Sequence, residues 1–183
     1  MVQSLPKFIS LDTFLTSAEI GDRCELIDGE AIPKMSPKRF HAKTQKALLK
    51  LLDGWAEERG HFYPEWSVVL TRQGEPWVPI PDLMFVSYDR LPRDWDEDAP
   101  SPVPPDLAIE VVSPDQSFGT MAAKAADYLA AGVTRVWIVD PRAKSITVFL
   151  PDASPQTFME SQVIEDAYLE GLRLTVAEVF NSV

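Results

Sequence analysis

The chain has 183 residues, 45% hydrophobic and 25% charged, with a net charge of −11 at pH 7. That length suits one domain, spanning 1–183, with a sizeable core, and the composition excludes wholesale disorder. Its one cysteine, Cys24, and two histidines, His41 and His61, exclude an intramolecular disulfide, a multi-cysteine zinc site and a histidine-rich metal centre.

No apolar run approaches the roughly 20 residues that span a bilayer, and residues 1–7 lack the apolar core of a signal peptide. The expectation is a cytoplasmic protein with no membrane partner. The acidity argues against a general nucleic-acid coat, because phosphate binding relies on Lys and Arg. The charge is uneven, however. Residues 31–52 hold six cations (Lys34, Lys38, Arg39, Lys43, Lys46, Lys50) and no acid, leaving 11 cations against 28 acids elsewhere, a balance of −17.

In chain order, residues 10–17 suggest a short amphipathic helix with Leu11, Phe14 and Leu15 turned inward. Residues 24–32 read as a hairpin turning at Asp28-Gly29, since Gly tolerates positive φ. Glu25 and Glu30 are expected as solvated strand charges. Ser36-Pro37 opens a long helix, Ser as cap and Pro at its first position, running to about Arg59 before Gly60. Phe40, Ala47, Leu48, Leu51 and Trp55 form its expected buried stripe; Arg39, Lys43, Lys46 and Lys50 recur on another face. That face is either solvated or a phosphate-contacting ridge. His41 lies near the boundary as a packing or hydrogen-bonding residue able to face a site.

Residues 66–71 read as a strand, 73–76 as a turn and 82–86 as a strand; the Pro- and acid-rich segment 91–105 reads as an exposed loop, a candidate flap. The apolar run at 105–113 is a strand of the kind normally covered on both faces. A helix over 120–131, closed by Gly132, leads to strands at 134–139 and 145–150. Strands near 156–158 and 162–164 and a helix near 176–180 complete the chain, with no internal repeat. This order predicts an α/β fold with a mixed sheet.

Glu110 sits in the middle of the run at 105–113, where an unpaired buried charge costs several kcal/mol, so it requires a cation, a metal or a proton. Asp82 opens the preceding strand, and Lys124 lies on the following helix. If the two strands pair, both carboxylates reach one hard divalent cation, Mg²⁺ or Mn²⁺, with a backbone carbonyl such as that of Val111. Lys124 would then orient water or neutralise developing charge. Tyr128, one turn beyond Lys124, contacts substrate or packs. The competing reading is a buried Glu110–Lys124 ion pair fixing helix on sheet, with Asp82 as a turn residue; the residues alone leave both open.

Several of these stretches together resemble a known family: 25–30, Ser36-Pro37 with His41 entering a helix, Pro81-Asp82, 105–114, Lys124 with Tyr128 and Gly132-Val133, and 136–141. In order and spacing they resemble the Uma-type restriction endonuclease family of the PD-(D/E)XK nuclease superfamily, across residues 11–150. The resemblance implies a restriction-endonuclease-like core, a mixed central β-sheet flanked by helices, with Asp82 and Glu110 as metal ligands. Val112 stands where the superfamily pattern has a lysine; in the Uma-type family that lysine is moved to the next helix, where Lys124 fills the place.

The function so implied is Mg²⁺-dependent (or Mn²⁺-dependent) hydrolysis of phosphodiester bonds in DNA. Lys38, Arg39, His41, Lys43, Lys46 and Tyr128 are the expected substrate contacts. The alternatives are a catalytically silent module that binds nucleic acid or a partner protein, and a purely structural role for the ion pair. Exposed strand edges allow a homodimer.

Overall fold

The computed structural model describes residues 8–17, 20 and 24–181. Its elements run α1 (Leu11–Thr16), β1 (Cys24–Ile27), β2 (Glu30–Pro33), α2 (Arg39–Ala56), β3 (Gly60–Pro64), β4 (Leu70–Arg72), β5 (Glu75–Trp77), β6 (Leu83–Ser87) and β7 (Leu107–Val111). They continue with α3 (Phe118–Ala130), β8 (Arg135–Asp140), β9 (Ser145–Phe149), β10 (Gln156–Met159), β11 (Val163–Glu165), β12 (Arg173–Thr175) and α4 (Val176–Phe180). No helix among the described residues is long and apolar enough to cross a membrane.

The expected mixed sheet is present. Six strands lie in the order β10-β9-β8-β7-β6-β3, with β7 and β8 parallel and the other neighbours antiparallel. Parallel pairing needs a crossover, and α3 supplies it. Side chains alternate along each strand and so feed two layers. Leu83, Phe85, Leu107, Ile109, Val111 and Trp137 pack toward α2 and α4, with Leu48, Leu52, Val179 and Phe180. Met84, Val86, Ala108, Val136 and Ile138 pack toward α3, with Met121, Ala125 and Tyr128. By the same alternation Glu110, next to Ile109 and Val111, faces α3. Every residue of β7 is buried, as the apolar run required.

Among the described residues three hairpins lie outside the main sheet, β1–β2, β4–β5 and β11–β12. The first turns at Asp28 (φ 52°) and Gly29 (φ 76°), as its sequence predicts. It is tied to the body where Leu26 and Val78 exchange backbone hydrogen bonds of 3.1 and 3.0 Å.

The structure departs from expectation in several places. The long helix begins at Arg39 rather than at Pro37, and Lys38 caps it without a side-chain hydrogen bond. Its buried face is His41, Thr44, Ala47, Leu48, Leu52 and Ala56, while Phe40 and Leu51 are exposed. The face is turned because it carries a polar pair, His41 and Thr44, that a search for apolar spacing passes over. In α1 only Phe14 is fully buried, and Leu15 is exposed. Strand β3 was not anticipated: it follows α2 almost directly and ends in Pro64, which a sheet edge tolerates. The strand expected at 66–71 shrinks to β4, and Glu75 and Pro76, expected in a turn, belong to β5. Strand β12, also unanticipated, pairs with β11. The loop at 91–105 is pinned in its middle, Ser101 N–H donating to Ser67 O at 2.8 Å and Ser101 O accepting from Val69 N–H at 3.0 Å.

Gly60 sits where β3 runs against β6, and a Cβ there would lie 2.1 Å from the backbone oxygen of Val86. Neither strand can yield without breaking the pairing. Gly60→Ala is expected to cost about 2 kcal/mol or more, read as a lower urea midpoint with an unchanged m-value.

Candidate active site

Antiparallel pairing of β6 with β7 sets Leu83 opposite Ile109, so Asp82 and Glu110 arrive side by side at one end of the pair. Both are buried, at 2% and 4% exposure. Each is surrounded by donors. Asp82 Oδ2 accepts from His41 Nε2 at 2.9 Å and from the Val111 N–H at 2.7 Å, and Lys34 Nζ stands 2.9 Å from Asp82 Oδ1. Glu110 Oε1 accepts from the Tyr128 hydroxyl at 2.8 Å and lies 2.9 Å from Lys124 Nζ. Lys124 and Tyr128 are one helical turn apart on α3, so one face of that helix serves one carboxylate. Lys124 Nζ also pairs with Glu25 Oε1 at 3.0 Å.

The electrostatics follow from these contacts. Burial alone would raise the Asp82 carboxyl, but His41, Lys34 and the Val111 N–H outweigh it and hold it down at about 2. Burial raises Glu110 above the usual carboxylate range; Lys124 opposes this, while the like charges of Asp82 and Glu25 reinforce it. Burial works against the Lys124 ammonium too, yet Glu110 and Glu25 together raise it, so it stays charged at neutral pH. A protonated Lys124 donates hydrogen bonds and cannot serve as a base. Burial and Glu110 likewise keep Tyr128 protonated.

These groups line a cavity of about 300 Å³ containing Glu25, Lys34, His41, Asp82, Glu110 and Lys124. Among the described residues no group of three or more His, Cys, Asp or Glu side chains gathers to hold a metal ion. The donor set is instead two adjacent carboxylates, one of them raised by burial. This suits a hard divalent ion that takes few protein oxygens and completes its shell with water and substrate, and it does not suit zinc.

Of the residues expected at the site, Asp82, Glu110, Lys124, Val111, His41 and Lys38 do line this cavity. Val111 shows its N–H to Asp82. Lys38, at the rim, pairs with Asp115 at 2.9 Å. Arg39, Lys43 and Lys46 are exposed on α2 and do not line the cavity. Tyr128 is fully buried and packed at a tilt against Trp77, with ring centroids 4.8 Å apart, so it supports Glu110 from below instead of meeting substrate.

Sequence reasoning missed Lys34, Gln45, Glu65 and the role of Glu25. Glu25 was expected in solvent, but its Oε1 also accepts from the Ile80 N–H at 2.9 Å. A signal existed: alternation puts Glu25 on the same hairpin face as the apolar Ile27, so that face had to be covered. Gln45 Nε2 donates to Asp82 O at 2.7 Å, and Glu65 stands at the rim with a left-handed φ of 51°.

The arrangement is that of an α/β nuclease fold with two acidic side chains brought together on neighbouring strands. The family model Uma2, described as "Putative restriction endonuclease", matches residues 11–177, and the chain belongs to that family. Among solved structures, the chain is similar to a protein of Anabaena variabilis ATCC 29413 described as a "putative nuclease belonging to DUF820", with a TM-score of 0.78 and 23% identity over 94% of this chain and 98% of that one. That likeness shows the fold. A comparison with curated proteins gave no match.

The Asp82 carboxyl is about 2 in the folded protein against 3.8 as an ordinary carboxyl. A depressed carboxyl stabilises the fold fully above its unfolded value and loses that contribution as pH falls toward its folded one. Between pH 4 and pH 2 the wild type should therefore lose about 2 kcal/mol more stability than Asp82→Asn, measured by urea unfolding at stepped pH.

Proposed function

We propose that the protein is a divalent-metal-dependent nuclease that hydrolyses phosphodiester bonds in DNA, with Mg²⁺ or Mn²⁺ held by Asp82 and Glu110. The observation that carries this reading is the convergence of those two buried carboxylates, from paired strands, on a cavity that also holds Lys124. A divalent ion there would stabilise charge on phosphate oxygens and ease deprotonation of water.

The chain's own residues divide the remaining work. His41 and the Val111 N–H fix the rotamer of Asp82, and Tyr128 fixes that of Glu110. Lys124, permanently charged, offers a hydrogen bond and a positive field where negative charge develops. The exposed cations of α2, Arg39, Lys43, Lys46 and Lys50, form a ridge beginning at Lys38 on the cavity rim, and contact the backbone phosphates of the substrate. The acidic remainder of the surface confines nucleic acid to that ridge. The working location is the cytoplasm.

One observation favours the rival reading, a catalytically silent member that binds nucleic acid or a partner. Both carboxylates are already matched by protein cations, as a structural ion-pair network would be. Two measurements separate the readings. Asp82→Asn and Glu110→Gln are expected to remove Mn²⁺ binding in calorimetry and to cut plasmid cleavage about 100-fold or more, with the circular dichroism spectrum unchanged. Cleavage that survives in either folded variant rules out the metal assignment. Separately, reversing Lys43 and Lys46 to Glu should weaken DNA binding for all sequences and reduce the slope of log K against log salt by about 2. An unchanged slope would place the phosphate contacts elsewhere.

A further inference from the structure

Asp82 has two oxygens, and they are not equivalent. Oδ2 is filled by His41 Nε2 and the Val111 N–H, both held by regular structure. Oδ1 is the oxygen left for a cation, and Lys34 Nζ has it, at 2.9 Å. The charge of Lys34 also reaches Glu110, acting there in the same direction as Lys124. Lys34 therefore stands on the oxygen that a cation bound at Asp82 would take.

The two lysines that pair with the inner carboxylates of the cavity are built differently. Lys124 rises from the middle of α3 and is held by two carboxylates, Glu110 and Glu25. Lys34 follows the last residue of β2, at the start of a stretch, 34–38, with neither helix nor strand, in which Met35, Ser36, Pro37 and Lys38 are exposed. Besides Asp82, its ammonium is held by one backbone oxygen, that of Ile80, at 2.7 Å. It is the cation of the pair that can leave.

Charge gives it a reason to leave. The inner carboxylates Glu25, Asp82 and Glu110 face the ammoniums Lys34 and Lys124, a balance one short of neutral. A divalent ion added beside Lys34 turns that deficit into an excess and sets like charges on one oxygen. A phosphodiester carries the single negative charge that restores balance.

We propose that Lys34 is a tethered placeholder cation: it occupies Asp82 Oδ1 until a divalent ion takes that oxygen, and its displaced ammonium then binds the substrate phosphate at the cavity mouth. This rests on reading the cavity as a metal-dependent nuclease site. Lys34 is thus a positioning residue in the resting protein and a substrate contact in the loaded one. It makes ion and substrate bind cooperatively, since each relieves the charge the other creates.

The test is Mn²⁺ titration by calorimetry without nucleic acid, so that catalysis plays no part, on wild type, Lys34→Met, Lys34→Gln and Asp82→Asn. Removing the competing ammonium should tighten Mn²⁺ binding at least tenfold in both Lys34 variants. Those variants should melt lower than wild type without the ion, and should gain more in Tm than wild type when Mn²⁺ is added. Lys34→Gln keeps a neutral donor for Ile80 O, and it carries the test if Lys34→Met does not fold. Equal or weaker Mn²⁺ binding in the folded Lys34 variants, with binding abolished by Asp82→Asn, overturns the placeholder and leaves the metal site standing. Binding indifferent to Asp82→Asn, or absent from every protein, overturns the site reading and this inference with it.

Discussion

Two carboxylates withdrawn from water at the end of one strand pair are the constraint around which this molecule is arranged. Desolvating either as an isolated charge is prohibitive, and the fold answers with donors from every layer. His41 comes from the helix on one face, Lys124 and Tyr128 from the helix on the other, and Lys34 from the segment that follows a hairpin outside the sheet. The answer for Asp82 is complete and that for Glu110 is not, which is why one carboxyl falls and the other rises. Buried carboxylates matched by ammoniums contribute little net stability, because desolvation offsets the attraction. The acidic pair makes sense as a receptor for positive charge.

The second Pro-Asp pair shows the contrast. Asp106, as buried as Asp82, is paired with Arg90 at 3.0 Å and also accepts from the Ser87 N–H and the Tyr168 hydroxyl. It pins the base of the 91–105 loop and lines a different depression. Two Pro-Asp steps that look alike in sequence thus line a charged cavity in one case and pin a loop in the other. What separates them is the partner: a guanidinium that closes the account, or a flexible ammonium that can be exchanged.

How far this was legible in the sequence depends on range. Glu110 stood out because a charge inside an apolar strand contradicts its surroundings, and Lys124 and Tyr128 followed from helical spacing. The Asp28-Gly29 turn and the β7–α3–β8 unit were local patterns and came through. The α2 register did not, because its inward face is chosen by a polar contact 41 residues away, between His41 and Asp82. Lys34 looked like one more member of a basic run. Its separation from Lys43 and Lys46, which stay in solvent, is created by the hairpin folding back on Ile80. Strand β3 was hidden by composition, since a Gly-His-Phe-Tyr-Pro edge shows little alternation. Pairings set by tertiary structure leave no periodic trace.

The clasp on Ile80 has a consequence for synthesis. Its N–H is held by Glu25 and its carbonyl by Lys34, while Glu25 also holds Lys124 of the later helix. The cavity is thus closed by contacts spanning as many as 99 residues: Glu110–Lys124 joins neighbouring elements, but Glu25–Lys124 and Lys34–Asp82 do not. A chain still emerging from the ribosome carries its basic helix exposed well before Glu110 and Lys124 exist, and can adhere to polyanions without possessing a finished cavity. Assembly of the central sheet is then the step that completes the cavity, which nascent fragments and truncated products lack.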